Sequence, residues 1–319
     1  MTDTFYIVTP SEVADSNVLG DTVIALGSFD GVHAAHHALI EETLSLGRKL
    51  GVKTGVWCFS TLPVNSLREE KVPMLCSLDE KIELLLSLGL DFVAVGDFSR
   101  LCSYSPEDFI ENVLKKELNC IGCACGFNHR FGKGGVGSPE TLIKAFGEEH
   151  ALIMPEFSLL SKTVSSTVIR ELISAGDVSS AAVMLKRPYS LKSEVLQGKH
   201  LGRKLGFPTA NLRFPEGIAV PKYGIYVTLC TTADGKKHAA VSNVGIRPTI
   251  IDGSDTHAVN CETYIHNFNQ NIYGEMLTVE FCEYLREEKK FDSVESLRQQ
   301  ISRDLEGSLS YFERSESLI

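Results

Sequence analysis

The chain contains 319 residues, of which 43% are hydrophobic, and it carries a formal net charge of −10 at pH 7. A chain of this length favours two domains, each with its own core. Its acidic balance argues against nucleic acid or an anionic membrane as the main partner, because both select a basic protein face. Residues 1–13 lack the basic and apolar regions of a signal peptide, and no apolar run is long enough to span a membrane. We therefore expect a cytoplasmic protein.

Nine cysteines are scattered along the chain. An odd and irregular set does not suggest the disulfide framework of a small secreted domain. Cys120, Cys123 and Cys125 form a CxxCxC cluster, which would suit zinc if a second pair accompanied it. Because no second CxxC follows, the pattern favours a buried strand of small residues, and a zinc site is the weaker alternative.

From residue 22 to residue 187 the sequence alternates short apolar runs with amphipathic stretches. This alternation predicts strands and helices in turn, and therefore a parallel sheet covered by helices on both faces. In such a sheet, ligands collect at the carboxyl ends of the strands. Two short helices are predicted at 165–176 and 177–186. Arg187 and Pro188 then interrupt the pattern, so we place a domain boundary near residue 187.

Beyond this boundary the pattern changes to short strands separated by turn residues, which is typical of a small antiparallel barrel. The last segment repeats apolar residues at helical spacing behind Asp292 or Ser293 as a candidate cap. It predicts a helix that packs on the barrel. The apolar residues at this spacing are Val294, Leu297, Ile301, Leu305, Leu309 and Phe312.

The stretch 27–37, GSFDGVHAAHH, runs from the end of a predicted strand into a predicted helix. His33 and His36 are three residues apart, so on a first helical turn both imidazoles lie on one face beside free N–H groups. Such a helix start is a natural site for a phosphate chain. A histidine pair alone is more often a surface or metal-linked feature, but Asp30 and Gly31 in the turn strengthen the phosphate hypothesis.

A second candidate for phosphate binding is the segment SSTVIREL. Ser165 and Ser166 can cap a helix whose first turn carries Thr167, with Arg170 one turn later. Hydroxyl groups and a guanidinium then converge on one helix start, although an ordinary capped helix has the same pattern. Between the two candidates, residues 126–137 contain five glycines and predict a flexible loop that a ligand orders.

The third candidate is the stretch 202–212, GRKLGFPTANL, in the predicted barrel. Its glycines let backbone N–H groups approach phosphate oxygens, and Pro208 fixes the backbone before Thr209 and Asn211. Hydroxyl and amide oxygens suit a hard cation. Glu262, on a later predicted strand of alternating apolar residues, is a candidate for the base or orienting acceptor that phosphoryl transfer needs, and a solvent-facing strand carboxylate is the alternative. A plain surface turn is the alternative, but it does not account for the PTAN sequence.

The PTAN stretch closely resembles the signature of riboflavin kinases, and GSFDGVHAAHH resembles the GxFDGxHxGH motif of the HxxH nucleotidyltransferases. SSTVIREL resembles the ISSTxIR motif of the latter family, and the segments 243–249, 273–276 and 285–291 match riboflavin kinases. Over nearly its whole length the chain resembles the family of bacterial bifunctional riboflavin kinases and FAD synthetases. The resemblance implies an α/β + β organisation. A Rossmann-like nucleotidyltransferase domain at 1–187 is followed by an antiparallel β-barrel kinase domain with a terminal helix at 188–319.

For the first domain the resemblance implies transfer of AMP from ATP to FMN, which gives FAD and pyrophosphate. His33 and His36 are then the catalytic residues at the α-phosphate, and Arg170 holds the β,γ-phosphates. Asn128 and Phe131, in the glycine-rich loop, are expected to bind the flavin. The remaining ATP and phosphate contacts implied are Gly27, Phe29, Asp30, Gly31, Ser165, Ser166 and Thr167.

For the second domain the resemblance implies phosphorylation of riboflavin to FMN by ATP. Glu262 is then the catalytic base, Thr209 and Asn211 hold Mg²⁺, and Arg286 contacts the flavin. The expected partners are riboflavin, FMN, FAD and ATP, bound to a monomer or weak homo-oligomer that binds neither nucleic acid nor membrane. The remaining ATP and phosphate contacts implied are Gly198, Gly202, Arg203 and Gly206.

Departures from the family motifs leave alternatives open. Ala35 stands where glycine is usual, and FSTLP at 59–63 replaces FDPHP, with the loss of an acidic residue and a histidine. The first alternative is therefore a riboflavin kinase whose first domain serves only as a scaffold. The second is a non-enzymatic flavin sensor, for which no DNA-binding motif is present. The third is an HxxH domain that acts on another substrate, against which the attached barrel argues.

Overall fold

The structure is a computed structural model, and it describes residues 4–10, 13–14, 19–198, 202, 206–246, 249–251, 254–256 and 259–316. The chain divides into two compact units, Met1–Val168 and Ile169–Ile319. Among the residues that the structure describes, no helix combines the length and the apolar character needed to cross a membrane.

The first unit is built from strands that alternate with helices. Its strands are β1 (Phe5–Val8), β2 (Val13–Ala14), β3 (Thr22–Leu26), β4 (Lys53–Phe59), β5 (Phe92–Gly96), β6 (Cys120–Gly126), β7 (Ala151–Met154), β8 (Ser158–Leu159) and β9 (Lys162–Thr163). Its helices are α1 (Ala34–Leu50), α2 (Pro63–Leu67), α3 (Leu78–Ser87), α4 (Phe98–Leu101), α5 (Pro106–Asp108), which continues as the π-helical segment Phe109–Glu117, and α6 (Pro139–Phe146). Helix α7 (Ser166–Ala175) begins in this unit and ends in the next.

The main sheet of the first unit has the strand order β2-β1-β5-β4-β3-β6-β7. Strands β3 to β7 pair in parallel, as the alternating pattern predicted. Strands β1 and β2 add an antiparallel edge that the pattern from residue 22 did not predict. On β1, the buried side chains of Phe5 and Ile7 alternate with exposed Tyr6, which is typical of an antiparallel strand covered on one face.

Alternate side chains of the central strands point to opposite faces of this sheet, so both faces are apolar and helices cover each of them. In one core, Ile24, Leu26 and Trp57 pack with Phe109 and Leu142 from the helical segments after β5 and β6. In the other core, the intervening residues Ala25, Val56 and Cys58 pack with Ile40 of α1 and Leu85 of α3. The predicted α/β layer structure is thereby confirmed.

The second unit is a β-barrel with helices. After α7 come α8 (Val178–Leu185), β10 (Tyr189–Glu194), β11 (Ala210–Arg213), β12 (Gly224–Thr231), β13 (Lys237–Ile246), β14 (Thr249–Ile251), β15 (Ser254–Thr256), β16 (Val259–Ile265), β17 (Met276–Arg286) and α9 (Val294–Glu316). Helix α8 packs on β10 and β17 of the same unit. The boundary near residue 187 stays a prediction.

The barrel is antiparallel, with the strand order β10-β17-β12-β13-β16-β11. Its two edges approach each other, because an isolated bridge joins Leu196, just after β10, to Asn211 on β11. The backbone N–H of Leu196 donates to the carbonyl of Asn211 at 2.8 Å. The predicted barrel is therefore confirmed and is nearly closed.

The terminal helix α9 packs on β12 and β13, as predicted, and the hydroxyl of Ser293 accepts from the N–H of Ser296 at its start. The predicted apolar positions are only partly covered, since Val294 is 59% and Leu309 is 42% exposed. The buried positions are instead Asp304 and Ser308. Hydrophobic spacing did not reveal them because their burial depends on polar partners on the barrel.

Those partners are a cation and an imidazole. The guanidinium of Arg286, at the end of β17, meets the carboxylate of Asp304 through Nε at 2.9 Å and a terminal nitrogen at 2.5 Å. The hydroxyl of Ser308 lies 2.7 Å from Nε2 of His266 on the segment after β16. Polar pairs therefore fasten the helix to the barrel.

Removal of the Asp304 carboxylate should loosen α9. The two side chains of the pair are only 16% and 8% exposed, so Asp304→Ala leaves the guanidinium of Arg286 buried without its anion, at a cost of about 3 kcal/mol. Hydrogen exchange measured by mass spectrometry should show protection of peptides from 294–316 falling by about a hundredfold. Glu306→Ala, at an exposed position on the same helix, should leave it unchanged. Equal protection in the two variants would contradict this role for the ion pair.

Candidate active sites

The turn after β3 forms the first candidate site. Phe29, Gly31 and Val32 have φ values of 50°, 78° and 42°, so the chain turns sharply through the left-handed region before α1 begins. The N–H of Gly27 donates to the carbonyl of Trp57 on β4 at 3.2 Å. These contacts fix the turn at the carboxyl ends of two neighbouring parallel strands, where ligands of α/β sheets collect.

His33 and His36 lie side by side at the start of α1, as predicted. Their rings stack with centroids 3.6 Å apart and an interplanar angle of 13°. The N–H of His33 donates to Nδ1 of His36 at 3.3 Å, so His36 carries its ring proton on Nε2. Burial, and then the charges of His33, His37 and Lys81, lower the pKa of His36 well below 6.5. His36 is therefore a neutral side chain that offers an Nε2–H donor.

The serines of the second candidate join this turn. The carbonyl of Asp30 accepts from the hydroxyl of Ser166 at 3.0 Å, across 136 positions of sequence. Ser165 caps α7 by accepting from the N–H of Val168 at 3.3 Å, and Thr167 is exposed on the first turn. The start of α7 therefore contacts the turn that leads to the histidines.

Asp30 and Arg170, two further predicted residues of the first constellation, have different surroundings. Asp30 is 2% exposed, and its carboxylate accepts from the N–H of Leu75 at 2.9 Å, so it holds the loop before α3 to the turn. Arg170 lies on α7, one turn beyond Thr167, in the second unit. Its assignment to the β,γ-phosphates stays a prediction.

The glycine-rich loop follows β6, which is the neighbour of β3 in the sheet. Phe131 exchanges two backbone hydrogen bonds with Gly137, at 3.2 and 2.9 Å, and its ring stacks on that of His129 at 5.7 Å. Asn128 and Phe127 are exposed, Phe127 by 49%. The loop therefore presents an amide and aromatic surface at the same edge of the sheet as the histidines.

Sequence reasoning missed Lys81 of α3. Its side chain is buried, and its Nζ donates to the carbonyl of Phe59 at 2.8 Å and to that of Ser28 at 3.4 Å. These carbonyls lie at the ends of β4 and β3. The available signal was helical spacing, since Lys81 falls between Leu78 and Leu85 on the apolar face of α3.

The second candidate site is a row of side chains on the barrel. Glu262 on β16 pairs with Asn211 on β11 and with Asn243 on β13. Paired residues of adjacent strands share a face, so the three side chains are neighbours. On β16 the alternate residues Cys261 and Thr263 are buried inside the barrel, so the row lies on its outer face.

The glycines and oxygen donors of the third candidate adjoin this row. A Cβ on Gly198 would lie 2.5 Å from Nδ2 of Asn211, so the amide needs glycine there. A Cβ on Gly202 would lie 2.4 Å from the carbonyl of Phe207 and 3.4 Å from the hydroxyl of Thr209. Gly206 takes a φ of 89°. The predicted phosphate contact Arg203 lies outside the described residues.

Asn243 is a further residue that the sequence did not single out as part of a site. Its Nδ2 donates to Oε1 of Glu288 at 2.8 Å. Its Oδ1 is buried and has no hydrogen-bond partner among the described residues. A buried amide oxygen without a partner among the described residues therefore lies on the strand beside Glu262.

Arg286, predicted to contact the flavin, is engaged by Asp304, and one of its nitrogens also donates to the carbonyl of Glu287 at 2.9 Å. Its observed contacts hold α9. The flavin contact stays a prediction.

Two family models match consecutive parts of the chain. The model described as FAD synthetase matches residues 15–168, which include both histidines and the capping serines. The model described as riboflavin kinase matches residues 185–312, which include the row on the barrel.

Individual proteins resemble the chain over nearly its full length. A protein of Listeria monocytogenes described as a bifunctional riboflavin kinase/FMN adenylyltransferase is 33% identical over 313 residues, which are 97% of this chain and 97% of that protein. A protein of Bacillus subtilis with the same description is 31% identical and covers 91% of this chain and 92% of its own length. A crystal structure from Streptococcus pneumoniae, described as a macrolide-efflux protein, has a TM-score of 0.83 and 28% identity, and covers 92% of this chain and 96% of that one.

The lowered pKa of His36 predicts a specific loss of stability in acid. Below about pH 6.5 the unfolded chain binds a proton at this side chain and the folded chain does not, so the free energy of unfolding falls as the pH drops. Between pH 7 and pH 5.5 the free energy of unfolding should fall by about 1 kcal/mol, and it should keep falling until the pH reaches the pKa of His36 in the folded protein. Urea unfolding followed by the fluorescence of Trp57, the one tryptophan of the sequence, should show this loss in the wild type.

His36→Gln should lack that part of the pH dependence. His150→Gln, at the amino end of β7, provides the matched control and should behave as the wild type. Identical pH profiles for the wild type and His36→Gln would contradict a neutral His36.

Proposed function

We propose that this chain, which belongs to the family of bifunctional riboflavin kinases/FMN adenylyltransferases, carries out the two reactions of that family at two separate sites. The first reaction phosphorylates riboflavin to FMN, and the second joins AMP to FMN to give FAD and pyrophosphate. The observation that carries the proposal is the presence of both constellations, each within its own family match. The scaffold-only alternative for the first domain gives way, since the FAD synthetase model matches it and full-length relatives are described as bifunctional.

For adenylyl transfer, we assign the α-phosphate to the histidine pair. An oxygen of the FMN phosphate attacks the α-phosphorus of ATP, and pyrophosphate leaves from the opposite side. Negative charge that develops on the transferred group is stabilised by fixed donors. The Nε2–H of His36 and the first backbone N–H groups of α1 are such donors, and no acidic residue lies in the first turn of that helix.

For riboflavin phosphorylation, we assign Glu262 as the base. Its carboxylate accepts the proton of the ribityl 5′-hydroxyl while that oxygen attacks the γ-phosphorus of ATP, and ADP leaves from the opposite side as its bond to the γ-phosphorus breaks. Asn211 and Asn243 flank it on the paired strands and orient the groups around it. Gly198 and Gly202 let the loop backbone approach the amide and the phosphate chain closely.

The oxygen donors beside the row fit Mg²⁺. Nδ2 of Asn211 donates to the carbonyl of Thr209 at 3.3 Å, so the amide oxygen is left for a cation. The amide oxygen and the hydroxyl of Thr209 are ligands that a hard cation prefers. When bound, Mg²⁺ neutralises charge on the transferring phosphoryl group. We further propose a cytoplasmic monomer or weak homo-oligomer that binds no nucleic acid.

The two-site proposal predicts that each reaction can be lost alone. Purified protein supplied with riboflavin, ATP and Mg²⁺ should form FMN first and FAD later, as separated by chromatography. Glu262→Gln keeps the size of the side chain and removes the base, so FMN formation should fall by about a hundredfold. FAD formation from supplied FMN should continue. His36→Ala should instead lower FAD formation from FMN and leave FMN formation unchanged, because the donor that it removes acts only on adenylyl transfer.

Matched controls are Glu283→Gln on β17 and His150→Ala, and both should keep both reactions. If Glu262→Gln abolished FAD formation from FMN in folded protein, the assignment of two sites would fail. If the wild type accumulated FMN and made no FAD even from supplied FMN, the chain would be a kinase alone.

The metal assignment predicts a changed requirement for Mg²⁺. Asn211→Ala removes the amide oxygen, so half-maximal FMN formation should need at least about tenfold more Mg²⁺. FAD formation from FMN should keep its original Mg²⁺ dependence. Asn269→Ala, at an exposed position of the same unit, is the control. An unchanged Mg²⁺ requirement in Asn211→Ala would remove this residue from the metal site.

A further inference from the structure

Lys81 is a buried cation at the carboxyl edge of the first sheet. Its residue is 4% exposed, on the apolar face of α3 between Leu78 and Leu85. Lysine is rarely buried unless a partner compensates its charge. Its burial therefore needs an explanation from its surroundings.

The partners of this ammonium are backbone carbonyls. Nζ contacts the carbonyl of Phe59, the last residue of β4, at 2.8 Å and that of Ser28, two residues after β3, at 3.4 Å. Within the described part of the chain, no carboxylate forms an ion pair with Lys81. Two carbonyl dipoles therefore stabilise a full positive charge. They accept two of the three N–H groups of the ammonium. The charge remains to be matched by an anion.

The surroundings of Lys81 belong to the adenylyl-transfer site. Ser28 lies in the turn that leads to the histidines, and Lys81 is close enough to His36 to contribute to the lowering of its pKa. Cys58 also lies beside it, and burial raises the pKa of that thiol. Both neighbours are neutral, so neither cancels the charge of the ammonium.

We propose that Lys81 is a positioning residue for adenylyl transfer, whose buried charge complements the triphosphate of ATP while its hydrogen bonds fix the turns after β3 and β4. This inference rests on the proposed adenylyltransferase function. Because its hydrogen bonds already hold the ammonium in place, it does not have to be ordered when ATP binds, as a solvent-exposed lysine would. Preorganised charge of this kind acts strongly in a site shielded from water.

Three substitutions separate the charge of Lys81 from its hydrogen bonds. Lys81→Arg keeps both the charge and the N–H donors, Lys81→Gln keeps donors without the charge, and Lys81→Met keeps neither. We expect kcat/KM for ATP in FAD formation from FMN to fall by about a hundredfold in the Gln and Met variants. The Arg variant should stay within about tenfold of the wild type. KM for FMN should stay unchanged in all three.

Two measurements on the same sample distinguish a loss of activity from a loss of folding. Trp57 fluorescence reports the folding of the first unit, and FMN formation from riboflavin reports the second unit in the same sample. Lys144→Met, at an exposed position on α6, is the matched control and should keep wild-type FAD formation.

Lys81→Gln that is as active as Lys81→Arg would overturn the proposal, because hydrogen bonds alone would then suffice. Unfolding of both neutral variants, with Lys81→Arg folded, would also overturn it by assigning the lysine to stability. A wild type that forms no FAD would instead refute the adenylyltransferase function itself.

Discussion

The pairing of β16 with β11 on one side and β13 on the other determines the site on the barrel. It sets Glu262 between Asn211 and Asn243, and it sends Cys261 and Thr263 into the core. Because side chains alternate along a strand, a shift of one residue in this register would bury the carboxylate and expose the core. The hydrophobic interior of the barrel and the polar row on its outside therefore stabilise the same arrangement.

In the first unit, the parallel sheet positions the side chains of the candidate site. The loops that follow β3, β4 and β6 emerge at one edge, where the histidines, Lys81 and the glycine-rich loop are brought together. The hydroxyl of Ser166 joins the carbonyl of Asp30 at that edge, so the start of α7 is tied to the start of α1. The starts of two helices then lie beside one turn, which suits a polyanionic ligand.

Two buried cations illustrate different uses of charge. The guanidinium of Arg286 is matched by the carboxylate of Asp304, so its contribution is to hold α9 on the barrel. The ammonium of Lys81 is met only by carbonyl dipoles among the described residues. A matched pair has little attraction left for a ligand, whereas a buried cation without a carboxylate partner among the described residues favours an anion in its surroundings.

The sequence alone determined the elements whose signals are local. Alternating apolar runs predicted the strands and helices of the first sheet, turn residues predicted the barrel, and the serines before Thr167 predicted the start of α7. His33 and His36 were predicted as neighbours because three residues nearly complete a helical turn. Only the tertiary structure decided the features that join distant segments. These are the edge strands β1 and β2, the contacts of Lys81, the place of Asn243 beside Glu262, and the ion pair that buries Asp304. The physical reason is that burial, register and charge pairing depend on partners tens of residues away, and no short sequence pattern specifies which partner a strand or side chain will meet.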